Sequence, residues 1–151
     1  MITEKIYCCG CLKDVDAQLT SGQGVYPKVD QEMQQKIWHL PFWRCATCKN
    51  FVGCHHESSE PTRPLGCIQT AEIKNARKHI HKLIDPLWKA HKEPFRARAW
   101  IYRWLSQKTE KEKYNTAEIR SVEEARKVYR LALTIKNVED CKNSDRSVQN
   151  D

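Results

Sequence analysis

The sequence of 151 residues contains no long hydrophobic run. Its mean hydropathy is −0.75, and no stretch approaches the roughly 18 consecutive apolar residues that a membrane-spanning helix requires. The first seven residues include Glu4 and Lys5 and lack the apolar segment of a secretory signal. We therefore expect a cytoplasmic location and no membrane partner.

Internal repeats and long low-complexity tracts are also absent from the sequence. The length is that of one typical domain, which excludes a large multidomain assembly. One main hydrophobic core, with at most a small satellite, is the expected organisation.

Acidic residues are scarce in one segment, residues 67–108, where three acids stand against ten lysines and arginines. The flanking segments have equal numbers of both signs, so the net charge of +7 lies entirely within those 42 residues. The same segment contains Trp88, Trp100 and Trp104. This combination favours a polyanion such as nucleic acid, because phosphates attract the cations and bases can stack on the rings. A solvated helical face above a core is the alternative interpretation.

The residue pattern divides the chain into three parts. Residues 1–66 are rich in cysteines and turns, and their short apolar runs favour strands over helices. In residues 67–138 apolar side chains recur at helical spacing, which predicts about three helices packed on the first part. Residues 139–151 are polar, and we expect them to fray. The predicted fold class is α+β.

Prolines and capping residues indicate where several elements begin and end. Pro41 indicates that the apolar run over residues 36–44 is an edge strand or is interrupted. The first long helix is predicted to end at Pro86, because the residue before a proline avoids the helical region. A second helix should begin near Pro94, and a third should follow the capping-box residue Ser121.

Two Cys-x-x-Cys pairs are the strongest chemical signal in the sequence, Cys8 with Cys11 and Cys45 with Cys48. Two such pairs are a recurrent ligand set of tetrahedral zinc, because each tight turn holds two sulfurs on one side of the ion. Eight cysteines in a reducing cytosol are also explained better by metal binding than by disulfides. Thiolates favour Zn²⁺ over magnesium or calcium, and four of them leave no open position for water. The sequence therefore predicts a structural zinc site in a zinc-ribbon-like N-terminal module.

Other residues near the two pairs leave alternatives open. Cys9, Cys54 or His55 could replace one of the predicted sulfur ligands, and a site of three cysteines and one histidine would be chemically normal. Two unrelated cysteine pairs, or a redox-active pair, would also account for the spacing. Cys67 and Cys141 are expected to be small core residues or bystanders.

With these residues in place, the chain resembles a family of small zinc-finger-containing proteins found mostly in bacteriophages and prophages. The resemblance extends from the first cysteine pair to about residue 105, and the third predicted helix matches less well. It implies a zinc-containing protein of phage type, located in the host cytoplasm if it is phage-encoded, and it assigns no activity. The residues that carry the resemblance are Cys8, Cys11, Pro41, Phe42, Trp43, Cys45, Cys48, Phe51, Val52, Gly53, His55, Pro64, Leu65, Gly66, Ala71, Glu72, Arg77, His81, Asp85, Pro86, Leu87, Trp88, Arg98, Tyr102, Trp104 and Leu105.

The leading functional hypothesis is a non-enzymatic nucleic-acid-binding protein. In this hypothesis the zinc module supplies a rigid unit, and a basic helical face binds the phosphates of DNA or RNA with low sequence specificity. The predicted phosphate-binding residues are Lys74, Arg77, Lys78, Lys82, Arg96, Arg98 and Arg103.

Two further hypotheses come from other functional classes. A phage-encoded inhibitor or adaptor could use the same basic face to bind an acidic host protein. A metal-dependent nuclease could use His55, His81 and Asp85 as its candidate catalytic residues. His81 and Asp85 are four residues apart and share a face if they lie on a helix, so that the carboxylate could orient the imidazole.

Overall fold

The computed structural model describes residues 1–142, which divide into two compact units at the junction of Ala71 and Glu72. The first unit contains the β-sheet and the second is helical, so the α+β class is confirmed. No helix within residues 1–142 has both the length and the hydropathy of a membrane-spanning segment.

A four-stranded antiparallel sheet forms the centre of the first unit, with its strands in the order β1-β2-β3-β4. Successive strands run in opposite directions, so the β1–β2 turn and the β3–β4 turn lie at the same end of the sheet. Those two turns contain the two Cys-x-x-Cys pairs. The strands are β1 (Thr3–Cys8), β2 (Lys13–Ser21), β3 (Pro41–Arg44) and β4 (Phe51–Gly53).

Two short helices, α1 (Gly22–Val25) and α2 (Gln31–Ile37), connect β2 to β3. Helix α2 buries none of its side chains, so it has no apolar stripe that a sequence could show, and the expectation of strands alone was wrong here. Its start is fixed by Asp30, which accepts a hydrogen bond from the backbone N–H of Met33 at 2.9 Å.

Pro41 interrupts the run over residues 36–44 as predicted, but it does not mark an edge strand. It is the first residue of β3, which pairs with both β2 and β4. Proline is compatible with the first residue of a strand even in the middle of a sheet.

The core of the first unit is small and contains several cysteines. Because a core of this size buries little apolar surface, an additional source of stability is expected for the unit. The cluster consists of Ile6, Cys8, Ala17, Trp43, Cys45, Val52, Cys54 and Ile68.

The second unit contains three long helices, α3 (Ala71–Lys89), α4 (Pro94–Lys108) and α5 (Val122–Leu133), and a short 3-10 helix, Thr116–Glu118. The predicted start of α4 near Pro94 is confirmed. The cap of α5 is also confirmed, because the backbone N–H of Glu124 donates to Ser121 Oγ at 3.1 Å. Residues 138–142 are helical where the sequence predicted the start of a frayed tail, and residues 143–151 lie outside the described part of the chain.

The predicted end of the first long helix at Pro86 was wrong, because α3 continues through this proline to Lys89. Proline has a backbone φ that suits a helix, and its missing N–H removes a single intrahelical bond. The turn is held by two other bonds. Ala90 N–H donates to the Pro86 carbonyl at 3.1 Å, and Trp88 Nε1 donates to Asp85 Oδ1 at 3.0 Å.

Candidate metal centre and basic surface

The four predicted sulfur ligands come together at one end of the sheet. The Sγ atoms of Cys8, Cys11, Cys45 and Cys48 all lie within 4.8 Å of one another. Cys8 and Cys48 are 3.4 Å apart and Cys11 and Cys45 are 3.7 Å apart, so each turn faces the other across the centre.

The two cysteine turns, residues 8–12 and 45–49, have the same backbone geometry and are called here the first and second knuckles. In the first, the backbone N–H of Leu12 donates to the Cys8 carbonyl at 2.8 Å; in the second, Lys49 donates to Cys45 at 3.0 Å. Leu12 and Lys49 both adopt positive φ, 58° and 67°. In each knuckle the backbone therefore turns back directly after the second cysteine. This leaves both sulfurs of the pair on the same side of the knuckle.

Gly10 allows the two knuckles to approach each other closely. A Cβ atom at this position would lie 2.7 Å from Asn50 Nδ2 and 3.2 Å from Cys48 Sγ. A side chain at residue 10 would therefore displace the Asn50 amide and crowd the Cys48 sulfur.

The sulfur spacing fits a tetrahedral zinc ion. With Zn–S bonds of about 2.3 Å, the edge of a four-sulfur tetrahedron is about 3.8 Å, close to the observed separations. When zinc is bound, these four cysteines would hold it and it would cross-link the knuckles as a structural ion. The soft donor set does not suit magnesium or calcium.

The surroundings of the sulfurs shift their pKa values in different directions. Burial raises the pKa of Cys8 to about 12, and the hydrogen bond with Cys45 raises that of Cys11. At Cys45, burial raises the pKa, but backbone hydrogen bonds from Cys48 and Thr47 outweigh it and lower the pKa to about 7. Four sulfurs this close resist joint ionisation, and a divalent cation relieves the repulsion.

The alternative ligands lie elsewhere in the first unit. Cys9 Sγ is 3.7 Å from Cys67 Sγ, and both side chains are buried. Cys54 is buried next to Pro64, and burial raises its pKa to about 11. His55 is exposed, and its backbone N–H donates to the Arg63 carbonyl at 2.8 Å. None of them joins the four-sulfur cluster.

The sequence does not predict the contact between Cys9 and Cys67. The two residues are 58 positions apart, and no local spacing connects them. Backbone bonds position them: Cys9 N–H donates to the Ile68 carbonyl, and Ile68 N–H donates to the Tyr7 carbonyl, both at 2.8 Å. Cys67 is therefore a buried core residue, as expected, and it packs behind the first knuckle.

The predicted phosphate-binding residues lie in the second unit, and six of the seven are exposed. Lys74, Lys78 and Lys82 project from α3, and Arg96, Arg98 and Arg103 project from α4.

Arg77 does not belong to the exposed set, and the expectation that it faces solvent was wrong. It is only 7% exposed, and its Nη2 donates to the Ile119 carbonyl at 2.5 Å. Arg77 follows Ile73 by four residues and precedes Ile80 by three, which places it on the buried stripe of α3. Its long apolar stem can lie in the core while the guanidinium binds a backbone carbonyl.

Of the candidate catalytic residues, His81 and Asp85 lie together and belong to the second unit. His81 Nδ1 is 3.5 Å from Asp85 Oδ2, as the i, i+4 spacing predicted. Asp85 also accepts the bond from Trp88 Nε1, which gives this carboxylate a structural role at the Pro86 turn. His55 belongs to the first unit, and its convergence with the other two stays a prediction.

In the part of the chain that the structure describes, neither unit taken by itself brings a second group of three or more His, Cys, Asp or Glu side chains to metal-binding distance. The four-cysteine cluster is therefore the metal centre that the geometry supports.

Comparison with known proteins gives one match. Residues 3–135 match the family described as a zinc-finger-containing domain, which covers both units and most of the chain. No curated protein and no solved structure matches. The four-cysteine cluster and the family description agree, and both indicate zinc. The chain therefore belongs to the family of zinc-finger-containing domains.

Proposed function

We propose that the protein binds nucleic acid without catalysing a reaction, through exposed cations of α3 and α4, while zinc maintains the fold of the first unit. The observation that carries this proposal is a row of lysines along one side of α3. We call Lys74, Lys78, Lys82 and Lys89 the lysine ridge; all four are exposed.

The geometry of the lysine ridge suits a phosphate backbone. At about 100° per residue the four lysines lie within a sector of about 80°, and at 1.5 Å per residue they span about 22 Å of the helix. The buried isoleucines of α3 lie on another side of the helix. The phosphates of one strand of B-DNA are spaced by about 3.4 Å along the axis, so the ridge can lie along several of them.

Few acids lie near the ridge in the sequence. Asp85 is directed to Trp88 and His81, and residues 67–108 contain only two other acids, Glu72 and Glu93. The arginines Arg96, Arg98 and Arg103 add charge on α4. Since phosphate contacts carry no base information, we expect low sequence specificity.

Binding should weaken steeply as salt is added. If about five phosphates are neutralised, affinity should fall about 10²- to 10³-fold between 50 and 200 mM salt, because bound counterions are released. Fluorescence anisotropy with labelled DNA and RNA of unrelated sequences measures this. Absence of binding at micromolar protein in 50 mM salt, or binding insensitive to salt, would contradict the proposal.

Two further experiments separate the other hypotheses. A protein that binds no nucleic acid but retains a host protein from nuclease-treated lysate would be the predicted inhibitor or adaptor. If the wild type cuts plasmid DNA in the presence of magnesium or manganese and the His81→Ala variant does not, the protein would be the predicted nuclease. The phage type of the protein is part of the proposal and is supported by the sequence resemblance.

A further inference from the structure

We propose that the nucleic acid bound by this surface is single-stranded and that Phe95 stacks on one of its bases. This inference rests on the proposed function and specifies its substrate class. Phe95 lies in the first turn of α4 and is 84% exposed, which makes it the most exposed Phe, Trp or Tyr among residues 1–142.

The position of Phe95 on α4 places it on the outer face of the helix. Ala97, Ile101 and Leu105 are buried and define the inner face. Ala99 and Tyr102 follow Phe95 by four and seven residues, so all three lie within a sector of about 60° on the other side. Ala99 is exposed and small, and it leaves space above the helix between the two aromatic rings.

Tyr102 and Arg98 contact each other on this helix, and the Arg98 guanidinium also lies 6.0 Å from the centroid of the Trp88 ring. The Arg98 guanidinium lies 4.2 Å from the centroid of the Tyr102 ring, and Tyr102 also makes an edge contact with Tyr114. Bases stack on guanidinium planes as well as on aromatic rings. Phe95 and Tyr102 are about 10 Å apart along the helix, so they can contact different bases.

Charge surrounds the exposed ring. Arg98 follows Phe95 by three residues, and Lys92 and Arg96 are exposed on either side of it. Arg96 pairs with Glu93 at 3.4 Å, an exposed pair that contributes little and can be exchanged for a phosphate. The exposed ring can stack on the base of a nucleotide, and the surrounding cations can bind its phosphate.

The tryptophans of the same segment already have partners. Trp88 donates to Asp85 and is covered by Lys89, and Trp100 contacts His91 and Lys142. Phe95 is different because its ring is open to solvent. In a duplex the faces of the bases are stacked on one another, so an exposed ring favours strands whose bases are unstacked.

Binding of labelled oligo-dT, oligo-U and a DNA duplex of equal length tests this inference at one fixed salt concentration. We expect Phe95→Leu to weaken single-strand binding about tenfold, the effect typical of one lost stacking contact. Phe95→Trp should preserve it, and duplex binding should change less than twofold in either variant. Leu133→Ala is the matched control, since Leu133 is another exposed apolar residue of this unit, 54% exposed.

The outcomes distinguish the two proposals. If single-strand and duplex binding respond equally to Phe95→Leu, or neither responds, the inference is wrong while the proposed function stands. If the wild type binds neither probe, the proposed function fails as well. Should Phe95→Leu fail to fold, photochemical cross-linking of the wild type to a 5-bromouracil oligonucleotide decides: a cross-link at Phe95 supports the inference, and cross-links only elsewhere overturn it.

Discussion

Cys45→Ser is expected to abolish stoichiometric zinc binding and to unfold the first unit. The binding energy of a structural zinc is about 10–16 kcal/mol in small zinc-dependent domains at neutral pH, and most of it is folding energy. That is of the same order as the whole stability of a typical domain, about 5–15 kcal/mol. The unit has a core of eight buried residues, two of which, Cys8 and Cys45, are themselves sulfur ligands of the cluster. Without the ion, the core loses the cross-link between the two knuckles. It also loses the cation that relieves the repulsion among the four closely spaced sulfurs.

Metal analysis combined with hydrogen exchange of the full chain measures both effects. Exchange should become fast throughout the strands β1 to β4. Cys67→Ala is the matched control, because it removes another buried cysteine of the same unit and leaves the four sulfurs in place. It should retain one zinc per chain. A Cys45→Ser protein with protected strands would show that the ion does not hold this unit together.

Reversing the charge of the lysine ridge is expected to have the second largest effect. The triple variant Lys74→Glu, Lys78→Glu and Lys82→Glu replaces three phosphate contacts by repulsion, so we expect affinity for nucleic acid to fall more than 100-fold at low salt. Each lost contact lowers the slope of log affinity against log salt by about 0.9, so the slope should shrink by almost three. All three side chains are exposed, and the fold should tolerate the change.

The control for the triple variant has the same change in net charge elsewhere in the second unit. Lys113, Lys127 and Lys136 are exposed and lie outside the ridge. Their replacement by glutamate should reduce affinity for nucleic acid by about tenfold or less, because it only weakens the positive electrostatic potential of the protein as a whole. Equal losses in both variants would show that binding follows net charge and that the ridge is not a specific surface.

The sequence alone was sufficient for features that depend on local spacing. The spacing of the cysteines predicts the two Cys-x-x-Cys turns directly. The knuckles at 8–12 and 45–49 have matching hydrogen bonds because both need the same backbone conformation to place two sulfurs side by side. The start of α4 at Pro94 and the cap at Ser121 also depend on a few neighbouring residues. The structure agrees with each of these predictions.

Features that depend on tertiary contacts were missed or misjudged. Cys9 was a rival ligand in the sequence, but the return of the chain at Ile68 directs it to Cys67 instead. The positive charge of Arg77 predicts a surface residue, although its spacing places it among the buried isoleucines of α3. Here helical position predicted burial better than charge did, because a buried carbonyl, that of Ile119, was available to the guanidinium. No local pattern shows such a partner.

X-ray absorption at the zinc edge of the purified protein tests most directly whether two pairs of cysteines hold a single ion. The expected spectrum contains four sulfur neighbours at about 2.3 Å and no shorter shell, with one zinc per chain. A nitrogen shell at about 2.0–2.1 Å would place a histidine such as His55 at the metal and contradict the four-sulfur site. Protein that is folded and contains no stoichiometric zinc would contradict the account as a whole.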